Sequence, residues 1–583
     1  MKPLHSLQMG VRALLLLAGL LLAARGAGAQ APAWQSNLLL GSTGNSGIGV
    51  QATTTDAANN VYVTGTFIGT VTVGGSTFTS LGFRDVFVAK WSAATSSFVW
   101  AVSAGGAGFE EAPAIAVNGT DVYIGGKFTS ASTGAASMAF GAITLTGDNG
   151  AGFVAKVVET GAGADFAWAY KVESPGNDGV NALAREGNRL YVAGYFGAAS
   201  VSFGPLALAT GAGNYDVFVA KLTDAGPVPQ FDWLQRAGSS GYDEATALQV
   251  SGPNVYVTGV FTGTAAFGPS TLTTANTSQF TSDLFVAKLT DAGGAGNWTW
   301  AVQGGGNGYD RPAALARSGN NLYVAGNFSG ATFDWGGTAL VSANGPGNGT
   351  VISDVFVAKL VDAGPTGRLG WAQQAGGRDD DRAYGLEASG TSLFVAGLFY
   401  SGTLVCGNTL LTRGGTYSDL YLAKLVDAGP TSTVSWAQQA TGPGYMGAYA
   451  MTSRGNRVYV AGFFNGATGG FGSFTLANAG LYASYVVSVV DATLTATASP
   501  RAAAGATVFP SPAHGRATVE VPATAGAATA TLTVLDALGR AVRTRTVPTN
   551  ARTELDLTGL APGVYALRVA AGGGAATRRL VVE

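Results

Sequence analysis

The 583-residue chain has one cysteine, two histidines and few charges, with only 11% of its residues Asp, Glu, Lys or Arg. Each shortage excludes something. A lone Cys406 allows no intramolecular disulfide and no thiolate cluster for zinc or iron–sulfur, and it reads as a packed core thiol. The histidines are His5 and His514, so the long middle of the chain has none. A Ser-His-Asp triad, a His-ligated metal and imidazole acid–base chemistry are thereby excluded from it. The formal net charge is −2, with no basic footprint for nucleic acid and no polybasic membrane patch. So few charges also argue against long polyelectrolyte disorder. Glycine-rich stretches such as Gly304-Gly305-Gly306 lack the lysine and the helix of a phosphate loop.

What is present begins with a targeting pattern. Lys2 and Arg12 precede or enter a short apolar run, Ala13–Ala24, and Ala27-Gly28-Ala29 has the small residues of a cleavage site. Residues 1–29 are expected to be a signal peptide cut after Ala29. No later stretch is long and apolar enough for a transmembrane helix, so none is expected in the mature chain.

Glycine is plentiful, 88 residues, roughly twice the average usage of about 7%. It lacks the every-third-residue period of collagen and suits many tight turns between short strands. One heptapeptide recurs seven times. It reads VYVTGTF at Val61–Phe67, VYIGGKF at Val122–Phe128, LYVAGYF at Leu190–Phe196 and VYVTGVF at Val255–Phe261. It returns as LYVAGNF at Leu322–Phe328, LFVAGLF at Leu393–Phe399 and VYVAGFF at Val458–Phe464. A Trp precedes each copy: Trp34, Trp100, Trp168, Trp233, Trp300, Trp371 and Trp436. From Trp100 onward the step from Trp to heptapeptide is always 22 residues. A second strand follows, DVFVAK at Asp85–Lys90 and its later copies, the seventh having decayed to Ser484–Ser488. Repeat spacing runs from 61 to 71 residues, which marks a repeat architecture.

The strands are apolar on both faces. In Leu322–Ala325, Leu322 and Val324 oppose Tyr323 and Ala325. A sheet with one wet face would alternate apolar with polar, so each small sheet should be covered on both sides. Radially packed blades supply that cover. The expected fold is all-β: a seven-bladed β-propeller over residues 30–492, a linker over 493–505, and a small Ig-like β-sandwich over 506–583. If the Trp strand ends each blade, Trp34–Leu40 should complete the blade built from about Ala448–Val490 and so remove an exposed edge. Short stretches such as Ala265–Gly268 are expected to add a hairpin or a fifth strand.

At this point two resemblances become specific. The repeat core Gly455-Asn456-Arg457-Val458-Tyr459-Val460-Ala461-Gly462 resembles the SBBP family of seven-bladed β-propeller repeats. That resemblance implies a fold and no activity. The C-terminal segment resembles the type IX secretion system type A sorting domain. Val508-Phe509-Pro510-Ser511-Pro512 is similar to its opening motif, with Ser511 in place of the usual Asn. Leu535–Arg540 carries its D-x-x-G-R turn at Gly539 and Arg540, and Leu557–Tyr565 its L-x-x-L-x-x-G-x-Y motif at Gly563 and Tyr565. The resemblance implies a bacterium of the Bacteroidetes type, the type IX machinery as partner, and passage through the periplasm to the cell surface or medium.

Chemistry is harder to find. One acidic position recurs ten residues after the Trp: Asp178, Asp243, Asp310 and Asp381, with Glu110 in the second unit and Met446 in the last. These residues read as turn-forming Asp that cap loops. A rim cluster for Ca2+ or a sugar, or paired carboxylates for glycoside hydrolysis, are the functional alternatives. No other cofactor is implied. A second Asp, at 85, 216, 283, 354 and 419, opens the FVAK strand and keeps step with Lys90, Lys221, Lys288, Lys359 and Lys424. The irregular inserts Thr129–Gly150 and Val341–Ser353 are expected to carry specificity. The functional expectation is a non-enzymatic surface propeller binding a glycan or protein. A carbohydrate-active hydrolase or lyase and a structural matrix component are the alternatives.

Overall fold

A computed structural model describes residues 30–131, 135–148, 150–161, 163–209, 214–276, 281–343, 352–494, 506–522, 528–536, 541–571 and 574–583. Ala29, Gly539 and Arg540 therefore lie outside the described residues, as does most of the expected linker. Among the described residues every regular element is a strand and every strand pairing is antiparallel. The chain divides into two compact units between Asp491 and Ala492.

The first unit repeats one four-stranded meander. In the fifth sheet the strands are Arg311–Ser318, Asn321–Ser329, Ser353–Asp362 and Gly367–Gly376, hydrogen-bonded in that order. The heptapeptide is the second strand, and Leu322, Tyr323, Val324 and Ala325 are all fully buried, as two apolar faces require. The Trp opens the core of the fourth strand. The first strands of the seven sheets start at Gly47, Glu110, Gly179, Glu244, Arg311, Asp381 and Met446. Each packs against the first strand of the next sheet, and the seventh packs against the first.

The invariant glycine of the heptapeptide has a local cause. The first strand of the fifth sheet carries a bulge between Pro312 and Ala314, opposite Gly326. A Cβ on Gly326 would stand 2.2 Å from the Arg311 carbonyl oxygen, so only glycine fits beneath the bulge.

The two ends of the repeat region meet. Gln35–Leu40 pairs with Ala483–Val490, with Gln35 opposite Ser488 and Leu40 opposite Ser484, and becomes the fourth strand of the seventh sheet. The short stretches between second and third strands form hairpins, such as Thr332–Trp335 with Thr338–Val341. In four repeats that hairpin adds to the fourth strand of the preceding sheet, making six strands there. Of the two sequence expectations the hairpin is the one that forms, and in the other three repeats it stands as a two-stranded sheet of its own.

The recurring Asp and Lys of the FVAK strand do not pair with each other, because five residues of extended chain put them at opposite ends of the strand. Each Lys reaches instead into the next repeat. Lys221 meets Asp291 at 2.9 Å, Lys288 meets Asp362 at 2.8 Å, and Lys359 meets Asp427 at 2.7 Å. Lys156–Asp224 and Lys424–Asp491 continue the series, and Lys90 contacts Glu159. The same carboxylates accept the Trp indole N–H: Trp233 to Asp291 at 3.1 Å and Trp371 to Asp427 at 3.0 Å. The heptapeptide Tyr completes the latch, with Tyr191 donating to Asp291 and Tyr323 to Asp427 at 2.7 Å each.

The second unit has a three-stranded sheet (Thr507–Phe509, Arg516–Val521, Ala551–Asp556) and a four-stranded sheet (Thr529–Leu535, Ala541–Pro548, Gly563–Ala571, Gly574–Val582). One core joins them: Val519, Val521 and Leu555 from the first pack with Leu532, Val534, Leu567 and Leu580 from the second.

Candidate functional site

Strand direction gives the first unit two sides. On one, the first strands begin and the second strands end. On the other lie the Lys–Asp latches and the tight turns. The expected acidic residues are all on the first side, but none faces solvent. Asp178, Asp243, Asp310, Asp381 and Glu110 are each 0% exposed. They accept hydrogen bonds from the preceding or neighbouring loop: Asp178 from Ser174 and Gly197, Asp243 from Ser239 and Thr262, Asp310 from Gly306, and Asp381 from Ser401. Among the described residues no three of His, Cys, Asp and Glu come together as a metal site.

These carboxylates have acidic neighbours instead. Glu110 is next to Asp85, Asp243 to Asp216, Asp310 to Asp283 and Asp381 to Asp354, each neighbour opening the third strand of the preceding sheet. Burial first, then the like charge, pushes Glu110 up to about 8. Burial raises Asp243 and Asp381 to about 7, against the serine and backbone bonds that favour the charged form. In two pairs, Asp85–Glu110 and Asp283–Asp310, both members keep one buried oxygen without a hydrogen-bond partner.

The residues that line open space lie one and three residues further along the same first strands, where the repeats disagree. The first position holds Glu111, Gly179, Glu244, Arg311, Arg382 and Gly447; the other holds Pro113, Asn181, Thr246, Ala313, Tyr384 and Tyr449. Most of these residues line two adjoining cavities of about 320 and 370 Å3. Pro113, Asn181 and Arg311 belong to both and form the wall between them.

The smaller cavity centres on Glu244. Arg311 grips its carboxylate bidentately, Nη1 at 2.8 Å and Nη2 at 3.1 Å. Asn181 Nδ2 donates to it at 2.7 Å and the Tyr242 hydroxyl at 2.6 Å. Burial works to raise this carboxyl, but Arg311 and the other donors outweigh it and hold Glu244 below the ordinary range. The second acid, Glu111, is bridged by Arg84 at 2.9 Å and Lys127 at 3.4 Å. The larger cavity has an aromatic wall. The Tyr384 and Tyr449 rings lie 4.9 Å apart, and Tyr449 stacks on Phe463 at 4.8 Å. Arg382 stands beside them with 46% of its side chain exposed, paired to Asp380 at 2.7 Å.

This side also carries exposed apolar residues: Leu81, Phe83, Phe109, Tyr309, Tyr417 and Leu481. Phe83 and Phe109 stack in parallel, centroids 4.5 Å apart. The sequence pattern did not single out Glu244, Arg311 or Tyr384, because it followed residues that recur. Their signal was the opposite, a divergent position beside an invariant one. None of the described residues of either expected insert lines the cavities. Thr129–Gly150 carries the hairpin Ala135–Phe140 with Ile143–Asp148, which joins the sheet ending in Ser97–Gly106, while residues 344–351 lie outside the described residues.

In the second unit Pro510 and Pro512 sit in the loop after Thr507–Phe509. Ser511, the departure from Asn, still accepts a hydrogen bond from Val581 N–H at 3.1 Å. Gly563 starts a strand, and the Tyr565 hydroxyl donates to Ala561 O at 2.8 Å, closing the turn before it.

No helix among the described residues is long and apolar enough to cross a membrane. No curated protein matches the chain. Among solved structures, dimeric latent PorU from Porphyromonas gingivalis is similar over 63% of this chain and 31% of that one, at 11% identity and a TM-score of 0.12. The chain thus spans about a third of that protein's length, and the score is too low to indicate a common fold. Residues 507–583 match the family described as the secretion system C-terminal sorting domain. The C-terminal unit is therefore a type IX sorting domain, and the protein is exported to the cell surface or secreted through the type IX machinery.

Proposed function

We propose that the exported body of this protein is a seven-bladed β-propeller of the SBBP type, acting as a non-enzymatic module that binds a glycan or protein outside the cell. In this reading residues 1–29 are a signal peptide cut after Ala29, and residues 493–505 link the propeller to the sorting domain. Seven four-stranded sheets packed in cyclic succession and completed by Gln35–Leu40 support the fold. The observation that carries the binding role is the cleft: polar and aromatic residues that differ from repeat to repeat, on the side that also bears the exposed aromatic rings. Concave sites with a few convergent polar groups are where ligands bind.

Hydrolysis is disfavoured by the state of the acids. A glycosidase needs one carboxyl group held protonated as general acid, beside a second carboxylate. Glu244 and Glu111 share the smaller cavity, yet Glu244 is kept ionised by Arg311, and Glu111 sits between Arg84 and Lys127. The rim carboxylates with raised pKa values are sealed from solvent. The test is a panel of polysaccharides and surface proteins, read once for binding by the exported protein and once for released reducing ends. Binding without release is expected. Release of reducing ends would replace this reading with the hydrolase, and neither signal would leave a structural matrix component.

A further inference from the structure

We propose that the two adjoining cavities are consecutive sugar subsites, and that the ligand is an uncharged oligosaccharide lying across the Asn181–Arg311 wall. The inference rests on the binding role argued above and narrows it to one ligand class.

A pyranose offers two kinds of surface: a rim of hydroxyls that each donate and accept, and a C–H face that is apolar. A site for it needs planar polar side chains for the first and an aromatic ring for the second. The smaller cavity supplies the planar groups, Glu244, Asn181 and Arg311, fixed by their own hydrogen bonds. The larger supplies the faces, Tyr384 and Tyr449, with Arg382 at their edge. The shared wall retains hydrogen-bonding capacity. Arg311 spends Nη1 and Nη2 hydrogens on Glu244, out of five N–H donors in a guanidinium. Asn181 Nδ2 is spent on Glu244 and Ala245 O, which leaves the amide carbonyl oxygen to accept. Donor and acceptor thus meet where a linkage between two sugars would cross.

Charge decides which sugars. Every ionic group lining the cleft already has an opposite partner: Glu244 with Arg311 and Glu111 with Lys127 inside it, Glu111 also with Arg84 and Arg382 with Asp380 from outside the lining. An acidic polysaccharide would have to displace one of these pairs, whereas hydroxyls can use the remaining donors and acceptors. A peptide would call for closed apolar side-chain pockets, whereas the smaller cavity is lined mainly by carboxylate, amide, hydroxyl and guanidinium groups, and the larger sets its apolar lining, Pro113, Pro312, Ala313 and Ala383, beside two tyrosines and two arginines.

The experiment is calorimetric titration of the exported full-length protein with neutral mono-, di- and tetrasaccharides of the gluco, manno and xylo series. One disaccharide or longer sugar should bind, and its monosaccharide should bind at least about tenfold more weakly, because one subsite stays empty. Affinity should hold between about 50 and 500 mM salt, since no net charge is neutralised. Tyr449→Ala should cost about tenfold, and Asn181→Leu should cost as much by removing the carbonyl oxygen that is left to accept from a sugar hydroxyl while keeping similar bulk, with the melting temperature of both variants checked separately. Equal affinity for mono- and disaccharide, or a steep salt dependence, would overturn the two-subsite reading. Binding only to an acidic polysaccharide or a protein would overturn the ligand class and leave the binding role standing. Loss of all binding partners across the panel would remove both.

Discussion

At the scale of residues, the buried carboxylate pairs set an unusual pH dependence. A serine hydroxyl bonds to Asp178, Asp243 and Asp381, through Ser174, Ser239 and Ser401. Gly106 and Gly306 offer Glu110 and Asp310 only a backbone N–H, so an oxygen of each stays unpaired beside a second acid. A proton on one member of the pair relieves both the repulsion and the missing donor. Burial first, and for Glu110 then the Asp85 charge, puts Glu110 at about 8, while burial puts Asp243 and Asp381 at about 7 and Asp283 at about 6, all above their ordinary values. At these groups the folded state binds more protons than the unfolded chain across this window, so their contribution to stability is full below about pH 4 and is lost as pH rises toward 8. The latch acids act in the other direction. Asp291, Asp362 and Asp427 are held low despite burial, by the Lys, Tyr and Trp donors around them, so their contribution is lost in acid, below the ordinary carboxylate range. The melting temperature should peak in mildly acidic buffer. Glu110→Gln, whose amide can donate to the unpaired Asp85 oxygen, should raise the melting temperature at pH 9 by a few degrees, about 1–2 kcal/mol. It should do little at pH 5. A thermal scan in both buffers decides it: equal shifts at the two pH values would mean that Glu110 carries no proton.

At the scale of elements, the Lys–Asp latch is what makes neighbouring sheets interdependent. Lys288 and Asp362 are 6% and 7% exposed, and Tyr256 also donates to Asp362 at 2.6 Å. Removing one partner leaves a charge in a buried place, which costs about 3–5 kcal/mol, while replacing both can be nearly neutral. Lys288→Met should destabilise by that amount in urea unfolding, and Lys288→Met combined with Asp362→Asn, which removes the charge but keeps an acceptor oxygen for the Tyr256 and Trp300 donors, should recover part of it. If the single change cost under about 1 kcal/mol, the pair would be behaving as a solvated surface bridge. Much at this scale was legible beforehand. The fixed step from Trp to heptapeptide and the two apolar faces of Leu322–Ala325 located the strands, because burial on both sides leaves no room for a polar alternation. The latch was missed although its acid recurs as Asp-Ala-Gly at Asp224, Asp291, Asp362 and Asp427. Its contacts join residues 67 to 74 apart, one whole repeat, and a strand-by-strand reading sees only neighbours. The cleft was missed for a related cause: Glu244, Arg311 and Tyr384 come from three different sheets, and only the packing of first strand on first strand assembles them.

At the scale of the whole first unit, the junction between the seventh and first sheets differs from the other six. Ser488 stands where Lys424 stands one repeat earlier, so no latch lysine reaches across this junction. Two other devices hold it. The Ser484 hydroxyl accepts from Val50 N–H at 2.8 Å and donates to Ile48 O at 2.7 Å, tying the seventh sheet to the first strand of the first. The segment Gln35–Leu40 supplies the seventh sheet with its fourth strand from the opposite end of the repeat region. Because its partner, Ala483–Val490, is made last, this pairing can form only when every repeat has been synthesised, and it binds all seven sheets into one cooperative unit. Without it Ala483–Val490 would present a row of unpaired backbone groups, a template for another chain. Deleting residues 31–40 should therefore lower the melting temperature, broaden the transition and add concentration-dependent association that the intact protein lacks. Light scattering behind size exclusion and thermal melts at two concentrations would read both effects, and a peptide spanning residues 31–42 should reverse them by filling the vacant edge. A truncated protein that associated no more than the intact one and melted like it would mean that the seventh sheet is held by its neighbours alone and that the strand from the N-terminal side contributes nothing to closure.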